Sequence, residues 1–195
     1  MILEALKNIR VVLGSKSPRR KELLAKLGID FQVLVAETDE FVNPTLSSEE
    51  VVVDIAQKKL EMFRGEEFFE SLVITADTAV VHKNALLGKP NDADDAFATL
   101  KPMQGQTHTV YTAVALAYRA KTRTFLEETI VEFYPLSDLE IQYYIETFAP
   151  LDKAGSYGIQ DWIGLIGIKR IDGSYENVVG LPTARLYQEL KDILS

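Results

Sequence analysis

IRVVLGSKSPRRKELLAKLG, residues 9–28, places a short apolar strand directly before a helix. The β-branched run at 9–13 ends at a glycine, which is typical of a buried strand. Ser17 is a good N-cap, Pro18 suits the first helical position, and Gly28 suits the C-terminal stop. A strand that leads through a tight loop into a helix predicts an α/β protein.

Outward from this segment, strand and helix patterns alternate to the end of the chain. Further strands are predicted at 31–36, 72–81, 107–117, 123–134 and 163–171, with a short return strand after residue 82. Further helices are predicted at 47–63, 91–102 (capped by Asn91), 137–148 and after residue 182. The pattern predicts one domain, residues 1–195, built on a mixed sheet with hairpins and flanking helices.

The composition excludes several classes of protein. The 195 residues are 47% hydrophobic, enough to bury a core without disulfides, and the net charge is −8. An acidic chain is a poor bulk binder of nucleic acid or of an anionic membrane. The absence of cysteine rules out disulfides, thiolate catalysis and cysteine-ligated metal centres, and two histidines are too few for a His-rich metal cage.

The N-terminus does not resemble a secretion signal. Its apolar residues are interrupted by Glu4, Lys7 and Arg10, and no uncharged apolar stretch in the chain approaches the ~18 residues of a membrane span. We therefore expect a cytoplasmic protein.

The strand–helix junction is a candidate anion site. Backbone N–H groups at a helix N-terminus attract anions, Ser15 and Ser17 add hydroxyl donors, and Arg19 and Arg20 add bidentate positive charge. An ordinary capped helix with a solvated basic face explains this segment equally well.

Asp77 interrupts the strand at 72–81, which otherwise reads as fully buried. A buried carboxylate needs a partner or a function, and we favour function over a bond to nearby backbone. Thr38-Asp39-Glu40 could supply oxygen ligands to a divalent cation, but a solvated acidic loop is the better reading of that stretch alone.

Two further segments carry weaker signals. Lys89 lies in a Gly-Lys-Pro turn, where a solvated lysine is the simpler reading. DKAGSYGIQ, residues 152–160, has two glycines that allow close backbone approach and ends on Gln160, which can both donate and accept hydrogen bonds.

Together these segments resemble the Maf family of nucleotide pyrophosphatases. The matching pieces occur in the family's order: GSKSPRRKELLAKLGIDF, ETDE, TADTAVV, LGKPNDADDA, GQTHTVYTAVAL, PLDKAGSYGIQ and IDGSYENVVGLP. The resemblance implies an inosine-triphosphatase-like α/β fold with two lobes around a cleft, a cytoplasmic location and a homodimer. It also implies hydrolysis of a nucleoside triphosphate to the monophosphate and pyrophosphate with a divalent metal, Mg²⁺ or Mn²⁺, and an association with inhibition of septum formation.

The resemblance also assigns residues. The family's proton acceptor matches Asp77, and its specificity positions match Arg19, Thr78 and Gln160. Glu40 and Lys89 match positions of the metal and phosphate region, with the metal assigned to Glu40 and Asp77. The loop DKAGSYGIQ is similar to that of members acting on dTTP and UTP.

Three departures from the family pattern stand out. Gly14-Ser15 replaces the usual Ala-Ser, Thr75-Ala76-Asp77 replaces Gly-Ala-Asp, and Asp161-Trp162 replaces small residues after the glutamine. The last change lies beside the base-recognition loop. The alternatives are therefore a pyrophosphatase for another nucleotide, a non-catalytic nucleotide-binding regulator of septum formation, and, more weakly, a protein-interaction domain.

Overall fold

The computed structural model of the chain describes residues 2–35 and 45–195. The strands are β1 Arg10–Leu13, β2 Gln32–Val33, β3 Ser71–His82, β4 Ala85–Leu87, β5 Thr107–Tyr118, β6 Lys121–Phe133 and β7 Ile168–Asp172. The α-helices are α1 Ile2–Leu6, α2 Pro18–Lys26, α3 Ser48–Glu61, α4 Ala93–Leu100, α5 Asp138–Phe148, α6 Trp162–Gly167, α7 Tyr175–Val179 and α8 Thr183–Leu194. Within the described ranges, none of these helices has the length and apolar character needed to cross a membrane.

The strands form one seven-stranded mixed sheet, as the sequence predicted. Its order is β2-β1-β3-β5-β6-β7, with β4 paired to β3. β1 runs parallel to β2 and β3, whereas β3–β4 and β6–β7 are antiparallel. Val11, Val12 and Leu13 of β1 are almost completely buried, which explains the continuous apolar run of this strand between β2 and β3.

The described chain divides into two compact units. The described residues of Met1–Asp77, Thr112–Glu127 and Gly180–Ser195 form unit 1, and Thr78–Tyr111 with Glu128–Val179 form unit 2. In unit 1, α2, α3 and α8 each bury an apolar face. In unit 2, one apolar cluster joins residues of β3, β5 and β6 to α4, α5 and the loop after α5.

The helix signals of the sequence are largely confirmed. The Ser17 hydroxyl caps α2 by accepting from Arg20 N at 3.4 Å, and Gly28 follows the helix with a positive φ of 74°. The capping boxes of Ser47 with Glu50 and Ser137 with Glu140 open α3 and α5.

Three expectations about secondary structure were wrong. The cap of α4 is Asp92, which accepts from Asp95 N at 2.9 Å, and not Asn91. Strand β2 has only two residues, fewer than the alternation at 31–36 suggested. The predicted strand at 163–171 begins as helix α6 and becomes strand only at Ile168.

Candidate active site

The loop after β1 is organised around the Ser15 hydroxyl in unit 1. Ser15 is only 7% exposed. Its Oγ accepts from Ser17 N at 3.3 Å and from Arg20 Nη1 at 3.2 Å. The loop that precedes α2 is therefore a turn held by hydrogen bonds to the Ser15 hydroxyl.

Arg20 connects this loop to two other parts of unit 1. Its Nη1 also donates to Ala76 O at 2.9 Å, and its Nε donates to Gly180 O at 2.9 Å. The side chain thus links the β1–α2 loop to β3, at the residue before Asp77, and to the start of the C-terminal segment. The structure brings Ser15 and Arg20 of the candidate anion site together with the strand segment that leads to Asp77.

Asp77 has the partner that a carboxylate in a buried strand needs. Lys59 Nζ on α3 donates to Asp77 Oδ1 at 2.8 Å, and the two side chains are 17% and 19% exposed. The pair is partly desolvated but still reachable by solvent, which suits a carboxylate that must meet a water molecule.

Sequence reasoning missed Lys59, although a signal was present. On α3, Val52, Ile55 and Ala56 are buried, and Lys59 continues that stripe at helical spacing. A charged residue on an apolar stripe indicates a buried partner.

Contacts within unit 1 hold β3 beside α3 at this site. The buried Thr75 hydroxyl donates to Ala56 O at 2.8 Å. A Cβ on Gly14 would lie 2.8 Å from both Thr75 Cγ2 and Phe63 Cε2, so the chain needs a glycine here to let these side chains approach the loop.

The Gln160 loop is held by a second network of hydrogen bonds, in unit 2. The Tyr144 hydroxyl accepts from Gly158 N at 3.0 Å and donates to Asp161 Oδ2 at 2.8 Å. Burial raises the pKa of Tyr144 well above its usual range, so the hydroxyl stays protonated and remains a donor. Lys153 Nζ lies 2.7 Å from Asp152 Oδ1 and 3.8 Å from Asp161 Oδ2.

This loop is also tied to the turn that carries Lys89. Gly155 N donates to Gly88 O at 3.1 Å. Gly155 has a φ of +70°, and a Cβ there would lie 2.9 Å from Val80 Cγ1. Lys89 and Gln160 are both exposed, while Thr78 on β3 is half-buried. Unit 2 therefore holds the Lys89 turn and the Gln160 loop together by backbone contact.

Both histidines are buried, and His108 belongs to an aromatic cluster in unit 2. His108 Nε2 lies 2.6 Å from the Tyr157 hydroxyl, and its ring packs against Phe133. Burial, and then the neighbouring His82, lowers the pKa of His108 to about 3, so its imidazole is neutral at physiological pH.

A divalent cation can be tested only against the carboxylates that the structure describes. Glu40 lies outside the described residues. Across 2–35 and 45–195, the structure contains no group of three or more His, Asp or Glu side chains arranged to hold a metal. Asp77 lies within the described residues, with a side chain that is 19% exposed and Oδ1 paired to Lys59 Nζ. One such carboxylate fits Mg²⁺, because that ion is commonly held by one or two carboxylates together with substrate phosphates.

A family model described as Maf-like protein matches residues 10–193. The chain belongs to the Maf family. A Porphyromonas gingivalis Maf relative named dTTP/UTP pyrophosphatase is 47% identical over 194 residues, covering 98% of both chains. A Phocaeicola vulgatus relative of the same name is 47% identical over 193 residues, covering 98% of this chain and all of its own.

The Maf chain also resembles a solved structure of low sequence identity. The Staphylococcus aureus Ham1 protein is similar with a TM-score of 0.50 at 15% identity, covering 92% of this chain and 99% of that one. At this identity the likeness shows the fold alone, and it confirms the expected α/β fold class.

Proposed function

We propose that this chain hydrolyses dTTP and UTP to the nucleoside monophosphate and pyrophosphate. The observation that carries the proposal is the Asp77 carboxylate, paired with Lys59 at 2.8 Å and joined through Ala76 and Arg20 to the serine-rich loop before α2. This arrangement supports the proposal, because it links a candidate proton acceptor to side chains that can donate hydrogen bonds to phosphate. The names of the full-length relatives support the choice of substrate.

Asp77 is proposed as the residue that handles the attacking water. A carboxylate oxygen can orient a water molecule and take its proton as the oxygen bonds to the α-phosphorus and the pyrophosphate leaves. The Lys59 ammonium keeps the carboxylate in place through a charged hydrogen bond.

We propose that the triphosphate binds to the hydrogen-bond donors at the start of α2. Ser15 and Ser17 contribute hydroxyl groups, Arg19 contributes a guanidinium, and the helix N-terminus contributes its dipole. Lys89 is proposed to add a further positive charge for the phosphates. Positioned donors of this kind stabilise charge that develops on the leaving group.

Base selection is proposed to rest on Arg19, Thr78 and Gln160. The bonds of Tyr144 to Gly158 and Asp161 support this assignment for Gln160, because they fix the loop on both sides of it. The exposed amide can then both donate to and accept from a pyrimidine edge.

Glu40 and Asp77 are the residues that we propose for the divalent cation, Mg²⁺ or Mn²⁺. When bound, such an ion neutralises phosphate charge and lowers the pKa of a water molecule. We also propose that the protein is cytoplasmic and forms a homodimer. Sedimentation velocity would test the oligomeric state.

The proposal is tested by a nucleotide panel with Mg²⁺ or Mn²⁺ that separates released pyrophosphate from orthophosphate. We expect pyrophosphate from dTTP and UTP, and a fall in turnover of at least about 10²-fold for Asp77→Asn, the scale of a lost general base. Near-normal turnover by that variant would remove Asp77 from the mechanism. Binding of dTTP without any product would instead support a non-catalytic regulator.

Another nucleotide as substrate is the second candidate. Asp161 and Trp162 stand where the family has small residues, and Trp162 packs edge-on against Tyr143 with ring centroids 4.9 Å apart. These bulky side chains directly follow Gln160 and could change which base the loop accepts. Modified pyrimidine and purine triphosphates therefore belong in the same panel.

A further inference from the structure

Arg20 donates three hydrogen bonds to oxygen atoms of the protein itself. Nε donates to Gly180 O, and Nη1 donates both to Ala76 O and to Ser15 Oγ. A guanidinium has five N–H groups, of which Nη1 carries two. Both N–H groups of Nη1 are therefore committed inside unit 1, in a geometry that a phosphate oxygen would have to break.

The contact with Ser15 determines whether that hydroxyl can donate or accept a further hydrogen bond. A serine oxygen has two lone pairs and one O–H. Ser17 N and Arg20 Nη1 are both donors to Ser15 Oγ, at 3.3 and 3.2 Å. Since the two lone pairs are occupied, the O–H remains for a further partner, and Ser15 can interact with that partner only as a donor. An anionic phosphate oxygen is such a partner.

The contact with Ala76 acts on the other half of the site. The Ala76 carbonyl belongs to the peptide unit that also contains Asp77 N, so its orientation constrains the backbone from which the Asp77 side chain projects. One guanidinium nitrogen thus holds both the hydroxyl donor and the strand segment of the proposed proton acceptor.

We propose that Arg20 is a positioning residue, which fixes Ser15 as a hydrogen-bond donor to phosphate and holds the Asp77 segment, and does not bind the triphosphate through Nε or Nη1. This revises the sequence-based assignment of Arg20 to substrate binding, and it rests on the proposed function. The neighbouring Arg19 keeps its proposed role at the nucleotide.

The test is a double-mutant cycle of Arg20→Lys and Ser15→Ala with dTTP as substrate. Lys26→Gln is the control, because it removes one positive charge from the exposed end of the same helix. We expect Arg20→Lys to lower kcat at least about tenfold with KM within about threefold, and the double variant to lose much less than the product of the two single losses. A raised KM with unchanged kcat, or losses that multiply, would overturn the proposal.

A second measurement on the unmodified protein does not depend on the variants folding. The Arg20 Nε–H resonance is followed by NMR while an α,β-methylene analogue of dTTP is added. We expect a slowly exchanging signal that stays in place, since its partner is Gly180 O, whereas a large shift on binding would show direct contact with the phosphates and contradict the proposal. Failure of the wild-type protein to release pyrophosphate from any nucleotide would refute the proposed function; the NMR result would still decide whether Arg20 meets the analogue.

Discussion

At the scale of single residues, the proposed mechanism depends on the Lys59–Asp77 ion pair. Its side chains are 17% and 19% exposed, which places the pair between a solvated surface bridge and a fully buried one. Removal of Lys59 leaves the partly desolvated Asp77 carboxylate without this ion pair.

Lys59→Met should therefore affect both stability and activity. We expect a loss of about 1–3 kcal/mol in the free energy of unfolding by urea, and a fall in turnover of at least about tenfold. Lys58→Met is the matched control, because Lys58 pairs with Asp54 at 2.6 Å with side chains 43% and 34% exposed. That variant should lose under about 1 kcal/mol and keep its turnover, and equal effects of the two variants would contradict a special role for Lys59.

Gly14 and Thr75, which both depart from the family pattern that the sequence resembles, lie next to each other. A Cβ on Gly14 would lie 2.8 Å from Thr75 Cγ2 and equally close to Phe63 Cε2, so the threonine at 75 adds to the crowding at position 14. We expect the two positions to compensate in part for each other, which follows from their distance and not from the sequence.

Gly14→Ala should destabilise the protein by about 1–3 kcal/mol through overpacking. Thr75→Ser removes Cγ2 and keeps the hydroxyl that bonds Ala56 O. Thermal or urea unfolding of the double variant should show a smaller loss than the sum of the two single losses. Additive losses would mean that the two positions do not compensate. We expect only part of the stability lost in Gly14→Ala to return in the double variant, because the new Cβ would still lie 2.8 Å from Phe63 Cε2.

At the scale of elements, the sequence predicted best where local chemistry decides the structure. Caps such as Ser17 and the box of Ser137 with Glu140 satisfy backbone groups within one turn, so their signal lies in adjacent residues. The run at 163–171 was different, because a short apolar stretch fits a strand or a helix equally well. Tertiary packing decided it: Ile163 and Gly167 are buried at helical spacing, while Leu165 between them is 82% exposed.

The site follows the same division. Asp77 and the serine-rich loop could be found in the sequence, because their residue types suit the chemistry. The apolar stripe of α3 marks Lys59 as a residue with a buried partner, but that partner and the role of Tyr144 could not be assigned, since the contacts lie 18 and 14 positions away. Glu40 lies outside the described residues, and its assignment remains a prediction.

Tyr144→Phe tests whether the Gln160 loop depends on helix α5. The change leaves the buried Gly158 N–H without its acceptor, which should cost about 1–3 kcal/mol of unfolding free energy. We also expect kcat/KM for dTTP to fall, because the loop that presents Gln160 loosens. Tyr143→Phe is the control, as that side chain is 51% exposed, and it should change stability by less than about 0.5 kcal/mol. An unchanged kcat/KM in Tyr144→Phe would separate this network from substrate recognition.

At the scale of the whole molecule, His108 makes stability depend on pH. Its pKa is about 3 in the folded chain against 6.5 when unperturbed, because burial disfavours the charged imidazole. Below pH 6.5, His108 is therefore protonated in the unfolded chain but stays neutral in the folded chain. This contribution to stability is complete above pH 6.5 and is lost progressively as pH falls toward 3.

Each pH unit in that window corresponds to about 1.4 kcal/mol. Between pH 7 and pH 5, the wild-type protein should lose about 2 kcal/mol more of unfolding free energy than His108→Gln, which keeps a polar contact for Tyr157 but does not titrate. The other groups are shared by both proteins, including His82, whose pKa is also lowered by burial and then by Lys83. Parallel pH curves from urea unfolding would show that His108 does not carry the effect.

Attack of water on the α-phosphorus of dTTP, with pyrophosphate as the leaving group, is tested most directly by a single turnover in H₂¹⁸O with mass spectrometry of both products. We expect dTMP carrying one ¹⁸O atom and unlabelled pyrophosphate. Label in the pyrophosphate, release of orthophosphate, or no product at all would contradict it.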